Sequence, residues 1–249
     1  MKKFLYLVFA CAMLFSLASC GSSDSSTASD SSSDTSTLSE DTASGSSETI
    51  ETPENVMIQS YNAEQELVDL EVPYDPQRIA ILDMASLDII DALDLGDRVV
   101  GSASTTIEYL LDYVPSDSND IANLGTIKTA DLVEVAACEP DIIFIGGRLS
   151  SVYNDLSEIA PVVYLATDTE IGVVESTGNN ARTIASIFGK EDEVDAMMAD
   201  FDARIEAIKA EYEGKNAIVG MYSGSNFNVL GNDGRCSIIG VELGFNNMG

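Results

Sequence analysis

The chain has 249 residues, 42 acidic against 12 basic, and a formal net charge of -30. That length leaves room for one or two domains, and the charge makes nucleic acid and anionic membrane surfaces poor partners for the folded body. No histidine is present, which removes Ser-His-Asp and Cys-His catalysis, HExxH zinc hydrolysis and histidine-ligated metal or haem within these residues.

Met1-Lys2-Lys3 is a basic start, and the apolar run over 4–17 has the length of a signal peptide, short for a membrane span. It ends Leu17-Ala18-Ser19-Cys20-Gly21, which resembles the lipobox of bacterial lipoproteins, where the cysteine is lipidated and becomes the mature N-terminus. The resemblance implies a signal peptide over 1–19 and a lipid anchor at Cys20 on the outer face of a membrane. Residues 21–52 are almost wholly Ser, Thr, Asp, Glu, Gly and Ala, too polar to bury a core. A flexible tether is therefore expected over 20–54, with a reach of roughly 30 Å.

The folded part begins near Asn55, where 56–58 and 67–72 read as a hairpin or two edge strands before Pro73 and Pro76. A core strand is expected over 78–82, then a helix over 87–95 with Ser86 as N-cap and Gly96 as its stop. A strand over 98–101, a helix over 105–114 ended by Pro115, and a short strand over 121–124 follow, and Thr129 is expected to cap a helix over 130–138.

The next stretch organises the chain: Glu139-Pro140-Asp141-Ile142-Ile143-Phe144-Ile145-Gly146-Gly147-Arg148. Its apolar run has no polar alternation, the pattern of a parallel strand covered on both faces. Two glycines allow a sharp turn, and Arg148 falls just past the carboxyl end, where open α/β sheets bind ligands. A guanidinium there suits an oxyanion, though a surface ion pair is an equal reading in so acidic a chain. A helix over 151–159 and a strand over 162–165 complete an α/β domain.

Helices over 181–188 and 192–212 follow, separated by Gly189; the second carries Val194, Met197, Met198, Phe201, Ile205, Ile208 and Tyr212 as a stripe and suits a strut between two lobes. A new sheet is read from strands over 217–221 and 227–231, with 222–225 as an exit loop and a helix over 237–243. Two strands and one helix close no core, so the natural protein is expected to continue beyond Gly249. The domains are thus 55–175 as an N-terminal α/β lobe, 176–213 as linking helices and 214–249 as the start of a C-terminal lobe. The cysteines, Cys11, Cys20, Cys138 and Cys236, have no CxxC spacing. Cys138 reads as a core residue, and nothing positive supports a Cys138–Cys236 disulfide.

Several segments together resemble the substrate-binding lipoproteins of iron–siderophore ABC importers, in the iron/vitamin-B12 (class III) periplasmic binding-protein family. They include Pro76-Gln77-Arg78-Ile79-Ala80, Asp91-Ala92-Leu93-Asp94-Leu95-Gly96, Asn123-Leu124-Gly125-Thr126, Glu139-Pro140-Asp141-Ile142-Ile143, Ile159-Ala160-Pro161 and Leu243-Gly244-Phe245-Asn246. The likeness is closest to members that bind ferric catecholates such as petrobactin. It implies α/β architecture with two Rossmann-like lobes, parallel sheets and one long joining helix, the C-lobe incomplete in this chain. It puts Arg148 and Arg235 where such members use arginines against the ferric complex. Tyr222, Met84 and Phe227 are further candidates for the ligand-binding wall, each equally readable as core. Family members usually dock on the permease through a Glu at the position of Val133, so Glu134, one step on, is a weak docking candidate.

The resemblance further implies no enzyme activity, no covalent cofactor, a ferric siderophore as ligand, and a monomer working with an ABC permease and its ATPase. Its location would be the extracytoplasmic face of the cell membrane. Alternatives stay open: the same fold binding cobalamin, haem or another iron chelate, or a surface sensor or adhesin. An enzyme using Asp83, Asp141 and Asp168 as paired carboxylates is the weakest reading, without a histidine or a metal motif.

Overall fold

The computed structural model describes residues 52–232 and 234–249. The signal peptide, Cys20 and most of the tether lie outside the described residues. Among the described residues no helix is long and apolar enough to cross a membrane.

β1 (Asn55–Tyr61) and β2 (Leu67–Pro73) form the expected antiparallel hairpin. It is tied to the sheet beyond by Ser60, fully buried, whose Oγ accepts the Tyr164 N–H at 2.9 Å. That sheet is parallel and has five strands in the order β5-β4-β3-β8-β9. The strands are β3 (Ile79–Ile81), β4 (Val99–Ser102), β5 (Ala122–Asn123), β8 (Ile142–Ile145) and β9 (Val162–Tyr164). Between β5 and β8 lie a two-strand clip, β6 (Gly125–Thr126) with β7 (Thr129–Ala130), and helix α2 (Leu132–Ala137).

Every residue of β3 and β8 is buried, and the two-residue period sorts them to opposite faces. Ile79, Ile81, Ile142 and Phe144 join one core, with Leu87 and Ile90 of α1 (Met84–Ala92) and Ile184 and Ile187 of α4 (Val173–Phe188). Ala80, Leu82, Ile143 and Ile145 join the other, with Val135 of α2 and Leu156 of α3 (Tyr153–Ser157). The sheet is covered on both faces, as the unbroken apolar run of 142–145 indicates.

Several local expectations are corrected. Asp83, not Ser86, caps α1: Asp83 is extended (φ -128°), and its Oδ2 accepts both the Ser86 N–H at 2.9 Å and the Ser86 hydroxyl at 3.0 Å. Asp131, not Thr129, caps α2, because Thr129 is engaged in β7 and Asp131 Oδ1 accepts the N–H groups of Val133 and Glu134. The helix expected over 105–114 is a 3₁₀ segment, Glu108–Tyr113. β-Branched Thr105, Thr106 and Ile107 resist an α start, and Thr105 Oγ1 instead accepts the Ile107 N–H.

α4 starts eight residues before the expected 181 and packs into the first core. It ends at Gly189, which at φ 64° is left-handed, and a Cβ there would also strike the Tyr74 hydroxyl. α5 (Glu191–Tyr212) has 22 residues, roughly 33 Å at 1.5 Å each. Glu191, Asp192 and Glu193 in its first turn complement the helix dipole. Of the expected stripe only Val194 is buried; Met197, Phe201, Ile208 and Tyr212 are exposed, because no described element lies against them, apart from Phe245 stacked on Tyr212 with ring centroids 6.0 Å apart.

Beyond α5, β10 (Asn216–Ala217) pairs in parallel with β13 (Asn246–Asn247). β11 (Val219–Ser223) pairs antiparallel with β12 (Asn226–Leu230). The stretch expected as an exit loop is a hairpin instead: Gly224 (φ 55°) and Ser225 (φ 73°) are both left-handed, the signature of a type I′ turn. Cys138 and Cys236 are free thiols.

Candidate ligand-binding cleft

β3 leads toward β4 on one side and β8 lies on its other side, so the strand order reverses between β3 and β8. A doubly wound sheet opens a crevice at the carboxyl ends of the strands at such a point, since the two flanking exit loops diverge. A cleft of about 1030 Å³ lies there. Its walls come from four strand exits: 83–86 after β3, 104–107 after β4, 146–148 after β8 and 165–167 after β9, with Ile127 and Asn180 closing it.

Arg148 is exposed and stands in this cleft. Among the described residues it takes part in none of the four ion pairs, which use Arg98, Arg182, Lys190 and Arg204. The surface-pair reading of Arg148 is therefore not what the structure contains, and the guanidinium fork is open to a ligand. Arg182 is paired, its Nε donating to Asp195 at 2.8 Å. Asp83 is the cleft's carboxylate, half-buried, with Oδ2 committed to Ser86. Met84, the first residue of α1, is half-buried and adds apolar wall with Ile89, Ile107 and Leu165.

Other sequence candidates fall elsewhere. Tyr222 sits opposite Phe227 in the hairpin, 73% exposed and not on the cleft wall. Arg235 lies in the 3₁₀ turn Gly234–Cys236, and its side chain is outside what the structure describes. Glu134 is exposed on α2 and lines a smaller depression of about 540 Å³ with Arg78, Asp97 and Asp120. Asp141 accepts the Gln77 and Arg78 N–H groups, and Asp168 accepts the Glu170 N–H; neither lines the cleft with Asp83. The three carboxylates are thus not brought together on one cleft wall. Among the described residues no group of three or more Cys, Asp or Glu could hold a metal ion.

The sequence reading missed Asn180 and Ser176. One turn apart on α4, they hold the loop after β9: Asn180 Nδ2 donates to Ala166 O at 3.0 Å, and Ser176 Oγ accepts the Asp168 N–H at 2.7 Å. Polar residues four apart on the buried face of a helix were the available signal.

A doubly wound sheet with a crevice at its strand exits offers a place for a small ligand, and the chain belongs to the Periplasmic binding protein family, whose sequence profile matches residues 79–248. The fold is that of the class III members. The chain is 35% identical over 173 residues to the petrobactin-binding protein YclQ of Bacillus subtilis, 69% of this chain and 51% of YclQ. It is 24% identical over 203 residues to the ferric-anguibactin-binding protein FatB of Vibrio anguillarum, 80% of this chain and 61% of FatB. The crystal structure of YclQ superposes with a TM-score of 0.68, covering 78% of this chain and 66% of that one at 30% identity. The catecholate-siderophore binding protein VctP of Vibrio cholerae gives 0.66, covering 77% and 67% at 26% identity. The chain spans about half the length of YclQ and 61% of FatB.

Proposed function

We propose that the protein is an extracytoplasmic substrate-binding protein that captures a ferric siderophore, of catecholate type, and delivers it unchanged to the permease of an ABC importer. The observation that carries the reading is Arg148: a guanidinium with no ion-pair partner among the described residues, in a cleft of about 1030 Å³ whose other walls are largely apolar and hydroxyl-bearing. A ferric catecholate is an anion with flat rings, and a guanidinium both pairs with its oxygens and stacks on its rings. Relatives named for petrobactin and ferric anguibactin support the same ligand class.

In this reading Arg235 approaches the ligand from the second lobe, Met84 supplies apolar wall, and Tyr222 contributes only where the lobes close. The lobes divide near 175 and 213. Glu134 is the weak permease contact. Cys20 carries lipid that anchors a monomer to the outer face of the cell membrane, and the siderophore is cargo rather than a cofactor. The test is titration with a ferric catecholate, a ferric hydroxamate and cobalamin, read by quenching of tyrosine fluorescence. Saturable quenching by the catecholate at the lowest concentration is expected. Tighter binding of cobalamin, or of none, overturns the proposal.

A further inference from the structure

α4 begins without a side-chain cap of its own. Its N-cap Gly172, at φ 93° and ψ 154°, has a backbone that only glycine adopts at ease, and Val173 N–H is one of the orphan donors of the first turn. Glu242 supplies the acceptor from the far end of the chain. Its Oε1 accepts the Val173 N–H at 3.0 Å, and a Cβ at 172 would stand 3.1 Å from that oxygen. Among the described residues this is the only hydrogen bond between 52–211 and 216–249, and none of the ion pairs crosses. The contact is not fully satisfied. Glu242 Oε2 and the Ser237 hydroxyl are buried without hydrogen-bond partners among the described residues, and Ser237 is only 8% exposed. Ser237 precedes the π-helical turn Ile238–Glu242 and Glu242 ends it, the spacing of one i→i+5 step.

A hydrogen bond to a carboxylate at a helix N-terminus favours the closed contact, while two buried polar atoms without partners oppose it. A contact balanced in this way opens more readily than one with every group paired. On the covalent side, the segment joins α5 through Gly214, left-handed at φ 74° with nothing within 4 Å of where its Cβ would stand. Such a residue absorbs a change in φ and ψ without displacing a neighbour. We infer that residues 215–249 swing as a unit about Gly214, and that Glu242 is the latch holding the unit against α4. The pairings of β10 with β13 and of β11 with β12 lie within the unit and travel with it, whereas the Val173 bond is given up on opening. The device is independent of which ligand the cleft takes.

Ser237→Cys, made together with Cys236→Ser, gives a nearly isosteric thiol that is shut in while the latch holds. Its reaction with a maleimide is followed by peptide mass spectrometry, so that labelling at 237 is read separately from any other cysteine. Amide exchange at Val173 is measured on the same samples, with the sheet amide of Ile143, bonded to Pro161 O at 2.9 Å, as the reference for global unfolding. Adding Glu242→Ala should speed both the labelling at 237 and the exchange at Val173 by about tenfold or more, with Ile143 unchanged. Glu242→Gln keeps a carbonyl acceptor for Val173 and should fall between the two. Faster exchange at Val173 with labelling unchanged would make Glu242 a local helix cap and overturn the latch. A rise in labelling alone, or in neither, overturns it equally, and so does a matching rise at Ile143, which would mean that the whole protein had been destabilised.

Discussion

Replacing Arg148 by Gln separates binding from folding, and the structure sets both magnitudes. The side chain is exposed and makes no ion pair among the described residues, so its removal strands no buried partner. Surface substitutions of that kind change stability by about 0.5 kcal/mol or less. Binding is different, because a hydrogen bond to a charged group contributes roughly 1.5–3 kcal/mol. At about 1.4 kcal/mol per decade, that predicts a loss of roughly 10- to 150-fold in ferric-catecholate affinity. Arg148→Lys should recover only part of it, since it keeps the charge and loses the planar fork. Arg182→Gln is the control: it breaks an exposed pair with Asp195 outside the cleft, with about 0–1 kcal/mol of stability at stake and no effect on binding. Fluorescence titration and urea unfolding of the three variants give the two axes. If Arg148→Gln binds as the parent does, the ligand does not lie against this arginine and the cleft assignment fails.

Cys20→Ala should move the protein from the membrane fraction to the soluble fraction of cells; persistence in the membrane after processing at the same site would refute the lipid anchor. Phe144→Ala, at a fully buried position, should cost about 3–5 kcal/mol in urea unfolding, and a cost under about 1 kcal/mol would contradict the described packing. Glu242 accepts the Val173 N–H at 3.0 Å and supplies the cap that Gly172 lacks, so Glu242→Ala should speed amide exchange at Val173, and unchanged exchange would refute that contact. Tyr113 has its phenol pushed well above the usual 10.0 by burial and then by its hydrogen bond to Asp91. A raised folded-state pKa means a stabilisation fully present below pH 10 and lost as pH climbs beyond it. The fall in stability between pH 9 and pH 11 should therefore shrink in Tyr113→Phe, and an identical fall would refute the assignment.

The sheet was legible in the sequence and the loops were only partly so, for identifiable reasons. Residues 142–145 read as a strand covered on both faces, since the apolar run is short, lacks polar alternation and is bounded by Pro140 and two glycines, and all four are buried. The first half of α4 was not legible. Its Ser176, Thr177, Gly178 and Asn179 are poor helix formers, and helix persists there through tertiary contacts. Ser176 and Asn180 hold the loop after β9, and Gly178 lets Met198 of α5 approach, a Cβ there meeting its methyl at 3.0 Å. The hairpin of β11 and β12 was hidden because Gly224-Ser225 reads equally as a loop; only the positive φ of both residues makes it a type I′ turn. At the cleft, Arg148 could be placed from the glycines and the strand before it. Its lack of a partner could not, since pairing depends on where some forty carboxylates fall in space.

That last point bears on how a chain of net charge -30 would hold the anion proposed as its ligand. Exposed charges are screened over a Debye length of about 8 Å at physiological salt, so most of the carboxylates act on the cleft weakly. Groups on the wall act at contact distance and in a less polar setting, where each is worth several times more. Among the described residues the ionisable side chains lining that wall are Asp83 and Arg148, one of each sign, so the proposed ligand would meet a locally balanced site rather than the global field. Balance by a separated pair has a different consequence from balance by an ion pair. A closed Arg148–Asp83 bridge would engage two of the five guanidinium N–H donors and offset its charge. With Oδ2 tied to Ser86 and the guanidinium beyond Gly146 and Gly147, the two side chains line the cleft without an ion pair between them. The capping geometry of α1 and the glycine exit of β8 therefore do more than terminate their elements. They also set where the two ionisable side chains of the cleft wall stand.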